Sequence, residues 1–161
     1  MKRRWLLLGA FSAAVLALGG GSLALVRPGL RDGKLTESGR DVFGGAARGL
    51  LDGTARADEI APLFARIDTL VTGLPQHAQG ELSQLLALLE SAPGRRGFAG
   101  LARPWTEASV PEIQDALQSM RVSSVSLRQQ AYQALHDIVG AAYFSDEAAW
   151  AFLDYPGPKA I

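Results

Sequence analysis

The residues of this chain that could do chemistry are few, and its two histidines are the first candidates. His136 is followed directly by Asp137, the one place where a histidine and a carboxylate are neighbours. A histidine acting as a general base needs a correctly oriented ring. Neighbouring residues on a helix point about 100° apart, so the sequence predicts that this pair forms no oriented dyad. We interpret His136 as a histidine on a helix face, and His77 as a surface residue at a helix start.

Metal and redox chemistry have little support in the composition. The chain contains no cysteine, which excludes disulfides, iron–sulfur clusters and the Cys-x-x-Cys-His attachment of c-type haem. Neither histidine is surrounded by residues at metal-ligand spacing. The sequence therefore predicts no metal site and no cofactor in this chain.

Glycine clusters and paired charges have structural explanations. The glycines at 19–21 and 44–45 do not follow a strand, whereas a phosphate- or dinucleotide-binding loop does. The acidic pairs at 58–59 and 146–147 fall at predicted helix starts, where negative charge is favourable. The arginine pair at 95–96 is predicted to be solvated in a loop, with contact to an acidic partner as the alternative. We predict no catalytic residue in this chain.

The charge distribution argues against nucleic acid as a ligand. The whole chain has sixteen basic and sixteen acidic residues. Setting aside Lys2, Arg3 and Arg4 leaves thirteen basic against sixteen acidic residues from Arg27 onward, a net charge of about −3. A nucleic-acid-binding protein needs a concentrated basic face, and the arginines of this body are scattered.

Short amphipathic helices are the elements that the body predicts. From Thr36 onward apolar residues recur at helical spacing, and no stretch alternates convincingly as a strand. Ser109 and Glu112 match a capping box at a helix start. The inward stripes are Val42, Phe43, Ala46, Ala47, Leu50 and Leu51; Ile60, Leu63, Phe64, Ile67, Leu70 and Val71; Leu82, Leu85, Leu86 and Leu89; Ile113, Leu117 and Met120; and Leu127, Ala131, Leu135, Ile138 and Ala142.

Breakers between these stripes divide the chain into five to six helices. The longest is predicted from about Ser124 to Tyr143, and Ser145 is predicted to cap a short last one. The segment 94–105, GRRGFAGLARPW, is predicted to be a loop or a broken turn. Gly44, Gly45 and Gly49 weaken the first helix unless close packing requires them. The fold class is therefore all-α: a small bundle of short helices after an N-terminal signal or hydrophobic segment.

The N-terminus predicts an export signal. Residues 5–26 carry no charge and follow a basic start, and about twenty apolar residues suffice to span a bilayer. Arg3 and Arg4, followed by Leu6 and Leu7, resemble a twin-arginine leader, which serves proteins that cross the membrane already folded. An ordinary secretory signal and a retained single-span anchor stay open as alternatives, and all three place the body outside the cytoplasm.

The domain organisation follows from this division. We predict a twin-arginine-type signal peptide or anchor over residues 1–26. Residues 27–161 are predicted to form a single helical domain that ends in an aromatic Pro-Gly-Pro tail. A body of this size can bury a core without covalent cross-links.

The C-terminal end is rich in aromatic side chains, although chain termini are usually frayed. Two interpretations stay open: these aromatics close the bottom of the bundle, or they contact a partner, and both can hold for different residues. Tyr and Trp are enriched at interfaces because they give large rigid contact area with a polar group. The predicted partner-binding residues are Tyr143, Phe144, Trp150, Tyr155, Pro156, Gly157 and Pro158.

The last third of the chain, residues 126–158, resembles a known group of small subunits. Its helix leads to an aromatic-Ser-Asp step, then Trp150, then Tyr-Pro-Gly-Pro at 155–158. This order is similar to the C-terminal signature of gluconate 2-dehydrogenase subunit 3 and of the small (gamma-type) subunits that accompany FAD-dependent glucose–methanol–choline-type dehydrogenases. The segments LARPWTEASVPEIQDAL and IDTLVTGLPQHAQGELSQLLALL resemble these subunits more weakly.

The resemblance implies a function. Such subunits are helical, bind no cofactor and pair with a large FAD-binding catalytic subunit, and some systems add a multihaem cytochrome. The small subunit carries the leader, takes the folded flavoprotein through the twin-arginine translocon to the periplasm and stays as a stabilising subunit. We also keep two other hypotheses: a membrane-anchored periplasmic scaffold or chaperone that retains its N-terminal span, and an independent hydrolase that uses His136.

Overall fold

The computed structural model describes residues 27–54 and 57–150. Within them the helices are α1 Glu37–Leu50, α2 Ile60–Thr72, α3 Gln76–Glu90, α4 Ala92–Gly94, α5 Val110–Arg121 and α6 Ser126–Phe144. A π-helical segment, Arg95–Ala99, continues α4, and a 3₁₀ turn, Glu147–Ala149, follows α6. The two strands, β1 Leu30–Arg31 and β2 Lys34–Leu35, form a small antiparallel hairpin. The prediction of an all-α bundle of five to six helices is confirmed.

Helix α1 is the centre of the bundle. It contacts α2, α3, α5 and α6. Val42, Phe43 and Ala46 of its apolar stripe are each at 0% exposure, and Leu50 at its end is partly buried. The helix begins after Thr36, whose hydroxyl accepts a hydrogen bond from the Gly39 N–H. This bond satisfies one of the donors that every helix start leaves without a partner.

The glycines of α1 let its neighbours approach closely, as the sequence predicts. A Cβ on Gly45 would lie 2.8 Å from Cε3 of Trp105, and one on Gly49 would lie 2.6 Å from Cγ2 of Ile113. Real side chains do not tolerate such distances. The two glycines therefore compensate for their low helix propensity by bringing α1 against α5 and the segment before it.

We expect Gly45→Ala to lower the free energy of unfolding by about 1–2 kcal/mol, because Trp105 would have to move in a packed core. The matched control is Gly80→Ala in α3, where an added Cβ meets nothing within 4 Å. That change should instead raise stability by up to about 1 kcal/mol, since alanine is the better helix former. Urea unfolding followed by circular dichroism measures both. A stable Gly45→Ala variant would show that the contact with Trp105 is loose.

Segment 94–105 is more ordered than the sequence predicts. It contains α4's last residue and the π-helical segment, which ends at Gly100 in the left-handed region with φ 78°. Leu101 and Trp105, at 2% and 1% exposure, lie in the core. Arg95 is buried and donates from Nη1 to the Glu90 carbonyl at 3.0 Å. The prediction that Arg95 is solvated is therefore wrong, because packing of the segment against α3 removes it from water; Arg96 is exposed as predicted.

Helix ends follow the predicted capping only in part. The capping box is confirmed: the Ser109 N–H donates to Oε2 of Glu112 at 2.8 Å, and the Glu112 N–H donates to Oγ of Ser109. The bond from the Ser109 N–H, and a second one from the Ser109 hydroxyl to the same carboxylate oxygen at 2.8 Å, lower the pKa of Glu112 below its ordinary value. Glu59 precedes α2 but makes no side-chain cap bond, so capping does not explain the acidic pair there.

The hairpin before α1 was not predicted, because two-residue strands leave no alternating pattern. Asp32 and Gly33 turn the chain with positive φ. The Leu35 N–H donates to Oδ1 of Asp68 in α2 at 2.8 Å, and the Leu30 N–H donates to Oγ of Ser83 in α3. The hairpin thereby fastens the start of the body to two helices. Across residues 27–54 and 57–150, no helix is long and apolar enough to cross a membrane.

Candidate partner interface

The aromatic end of α6 divides between the core and the surface. Tyr143 is 5% exposed and packs in the core, whereas Phe144 is 46% exposed. Their rings meet edge to face, with centroids 5.1 Å apart. Trp150 is partly buried. The aromatic end therefore has one residue for each interpretation. Tyr143 closes the bottom of the bundle, and Phe144 is exposed, as a partner contact requires.

The turn after α6 is built by hydrogen bonds within residues 142–150. Oγ of Ser145 donates to the Ala142 carbonyl at 2.8 Å. Oδ1 of Asp146 accepts from the Ala148 N–H at 3.0 Å and caps the 3₁₀ turn. The indole Nε1 of Trp150 donates to the Phe144 carbonyl at 2.8 Å. The predicted cap at Ser145 is wrong: Ser145 ends α6, and Asp146 begins the next turn because its carboxylate reaches the free N–H.

Arg66 of α2 joins this turn to the bundle. Its Nε donates to the Ala142 carbonyl at 2.9 Å, and its Nη1 lies 3.1 Å from Oδ2 of Asp146. The side chains of Arg66 and Asp146 are 26% and 23% exposed, so water screens the pair only partly. Sequence reasoning missed this contact, because nothing local relates residues that are 80 positions apart.

Two cavities among the described residues are candidates for a ligand site, and neither combines the space with the groups that chemistry needs. A notch of about 10 Å³ lies beside the turn, with space for about one water molecule. An open groove of about 200 Å³ is lined by Gly49, Leu50, Gln114, Leu117, Gln118 and Tyr132, a set without a carboxylate, histidine or basic group. No cluster of three or more histidine, aspartate or glutamate side chains in the described ranges could hold a metal ion. The exposed aromatic end is the better candidate for a functional surface.

The histidines lie on the surface. Nδ1 of His136 is 3.2 Å from Oδ1 of Asp137, and each side chain is 53% exposed. The sequence predicts that this pair forms no oriented dyad; the structure nevertheless brings the two side chains into hydrogen-bond contact over the helix surface. Tyr132 stacks on the His136 ring with centroids 5.5 Å apart. The pair is open to solvent, and His77 is exposed as predicted.

Several predicted residues lie outside the described part of the chain. They are the export-signal residues Arg3, Arg4, Leu6 and Leu7 and the tail residues Tyr155, Pro156, Gly157 and Pro158. Their predicted roles stay predictions. The described residues bring Phe144 and Trp150 together through the hydrogen bond between them.

Comparisons with known proteins found no matching family model, no matching curated protein and no matching solved structure.

Proposed function

We propose that this chain is a non-catalytic small subunit that binds, stabilises and escorts a folded FAD-dependent dehydrogenase through twin-arginine export to the periplasm. In this role it is a hitchhiker chaperone that provides the export signal its partner lacks. The observation that carries the proposal is Phe144, which is 46% exposed at the end of α6 beside a turn held by side-chain hydrogen bonds.

The described surface supports partner binding over chemistry. Aromatic side chains give large contact area at low entropic cost, and they dominate the energetics of many interfaces. Phe144 already rests against the buried Tyr143 ring, and Trp150 is tied to the Phe144 carbonyl. A partner that covers this end would bury apolar surface on side chains that need little ordering.

The identity of the partner comes from the sequence motifs. The aromatic-Ser-Asp step, Trp150 and the Tyr-Pro-Gly-Pro run resemble those of subunits that accompany large FAD-dependent dehydrogenases. A flavoprotein must fold around FAD before export, and a folded protein needs the twin-arginine translocon. FAD would belong to the partner, with no cofactor in this chain, and a multihaem cytochrome would complete the complex where the system has one.

The export role is tested by changing Arg3 and Arg4 together to lysine in a strain that co-expresses the large FAD-dependent dehydrogenase subunit proposed as the partner. Lysine keeps the charge but not the guanidinium geometry. We expect dehydrogenase activity in the periplasm to fall to background while it accumulates in the cytoplasm. The matched control is Arg27→Lys, the same substitution outside the pair. Undiminished periplasmic activity in the double variant would refute the escort role.

The uncharged stretch of residues 5–26 favours a second candidate, a membrane-anchored periplasmic scaffold or chaperone that retains its N-terminal span. N-terminal sequencing of the protein from its native membrane fraction separates the two. A new N-terminus near Ala24 supports a cleaved leader. An intact Met1, together with retention in the membrane fraction after a high-salt wash, supports the anchor.

A further inference from the structure

We propose that Arg66 is a positioning residue for the partner surface. Its guanidinium clamps the turn at residues 145–150 to α2 and to the end of α6, so that Trp150 is held beside Phe144 before any partner arrives. The consequence for binding rests on the proposed function, whereas the clamp itself rests on the geometry of this chain alone.

One side chain makes the connection. Nε of Arg66 donates to the Ala142 carbonyl at 2.9 Å, one of the acceptors that the last turn of a helix leaves without an intrahelical partner. Nη1 donates to Oδ2 of Asp146 at 3.1 Å. The other oxygen of Asp146 accepts from the Ala148 N–H. Arg66 therefore links α2, the end of α6 and the 3₁₀ turn that leads to Trp150.

The surroundings of the clamp make it stronger than an ordinary surface ion pair. Arg66 and Asp146 are about one quarter exposed. The notch that holds them is also lined by apolar and aromatic side chains and by a second carboxylate: Leu51, Leu63, Tyr143, Ala149 and Glu59. Exposed ion pairs contribute little to stability, because water screens their charges and because two long side chains lose conformational entropy when they pair. Here one partner is held by its own cap bond, and the arginine makes two hydrogen bonds in a fixed fork.

Arg48 and Arg128 also hold segments of the chain through carbonyl oxygens, but these segments differ from the one that Arg66 contacts. Arg48 donates to the carbonyls of Trp105 and Ala108 and thus supports the segment before α5. Arg128 donates to the Phe98 carbonyl and supports the π-helical segment. Both hold loops that also place residues in the core. Arg66 holds the turn that places Trp150 beside the exposed Phe144. Its loss should therefore change the position of Trp150 more than it lowers the stability of the whole protein.

A preformed turn matters for binding because a partner need not order it. Ordering of a side chain or loop on association consumes part of the interaction free energy. Without Arg66 the turn would keep the local hydrogen bonds of Ser145, Asp146 and Trp150 and the burial of Ala149. It would lose its side-chain hydrogen bonds to α2. We therefore expect weaker partner binding, expressed mainly as faster dissociation.

The test compares the full-length protein with the variants Arg66→Gln and Asp146→Asn. Asp146→Asn removes the ion pair but leaves the hydrogen bond from Arg66 to the Ala142 carbonyl. It replaces Arg66→Gln as the test of the clamp if Arg66→Gln folds poorly. The matched control is Arg103→Gln, whose partner Glu112 lies 3.7 Å away with both side chains largely exposed. Hydrogen–deuterium exchange of the amides of residues 145–150 reports on the clamp. The dissociation rate of the co-expressed flavoprotein subunit reports on binding.

We expect Arg66→Gln to accelerate exchange at residues 145–150 and to raise the dissociation rate about tenfold, the effect of one charge-assisted hydrogen bond. Arg103→Gln should change neither the exchange rate nor the dissociation rate. Arg66→Lys should not recover the behaviour of the unaltered protein, because lysine cannot make both hydrogen bonds. Unchanged exchange in Arg66→Gln would overturn the clamp. Accelerated exchange with an unchanged dissociation rate would overturn the positioning role and leave the proposed function standing. Failure of the unaltered chain to bind any flavoprotein would overturn the proposed function and the positioning role together, while exchange would still decide the clamp.

Discussion

Trp105→Ala is expected to lower the free energy of unfolding by about 3–5 kcal/mol, because it leaves a large cavity in a core that collapses only partly. Trp105 is 1% exposed, and its indole Nε1 donates to the Leu89 carbonyl at 2.8 Å. Truncation removes apolar contact and also deprives that buried carbonyl of its donor. Small domains have only about 5–15 kcal/mol of stability in total, so urea unfolding should show a large shift in midpoint.

Two further variants separate the contributions of Trp105. Trp105→Phe keeps much of the apolar packing and loses the hydrogen bond to Leu89, so we expect a smaller loss of about 1–2 kcal/mol. Trp150→Ala removes the same side chain from a partly exposed position and should cost less than Trp105→Ala. Equal losses at positions 105 and 150 would contradict the assignment of Trp105 to the core.

The helices were predictable because their information is local. Apolar spacing within α1, α2 and α3 identifies most of the buried positions, and the Ser109–Glu112 capping box identifies the start of α5. The prediction is wrong for Leu70, which is 37% exposed at the edge of the α2 stripe. The glycines of α1 even predicted close packing, since glycine in a helix interior is destabilising without a compensating contact. The spacing could not predict which residue packs against each glycine. Gly45 faces Trp105 because of how distant segments fold together.

Segment 94–105 shows why the remainder was missed. Glycine, proline and arginine are typical of a solvated loop, yet residues 95–99 form a π-helical segment and the residues after it return to the core. The buried side chains of segment 94–105 do not share one helical face or alternate as in a strand, so no periodicity marks the segment; they are Arg95, Ala99, Leu101 and Trp105. Burial of Arg95 follows from the same tertiary packing, which overrides the preference of a charged residue for water.

The sequence predicted a candidate site at the aromatic end of α6, but it did not separate the buried aromatic residue from the exposed one. Tyr143 and Phe144 are adjacent, and on a helix adjacent side chains point in different directions. Tyr143 follows the buried Val139 by four positions and therefore faces the core, which leaves Phe144 outside. The contribution of Arg66 depends on a pairing 80 residues apart, for which one sequence provides no signal.

If the proposed flavoprotein subunit is the partner, the double variant Phe144→Ala/Trp150→Ala is expected to weaken its binding by about 2 kcal/mol or more, roughly thirtyfold in Kd. Phe144 is the most exposed aromatic of the described residues that resemble the small-subunit signature, and Trp150 is bonded to its carbonyl. Removal of both takes away the apolar contact area proposed to anchor the partner. Calorimetric titration of the two purified chains measures the change.

The matched control is Val122→Ala/Val125→Ala, which truncates two exposed apolar side chains, at 64% and 52% exposure, near the turn between α5 and α6. It should leave affinity unchanged, because exposed apolar residues away from the aromatic end have no proposed contact. A lowered unfolding midpoint with unchanged affinity in Phe144→Ala/Trp150→Ala would assign those aromatics to the bundle alone. Equal losses of affinity in the two double variants would mean that the partner covers more than the aromatic end, because a contact confined to residues 144–150 cannot sense the loss of two valines elsewhere.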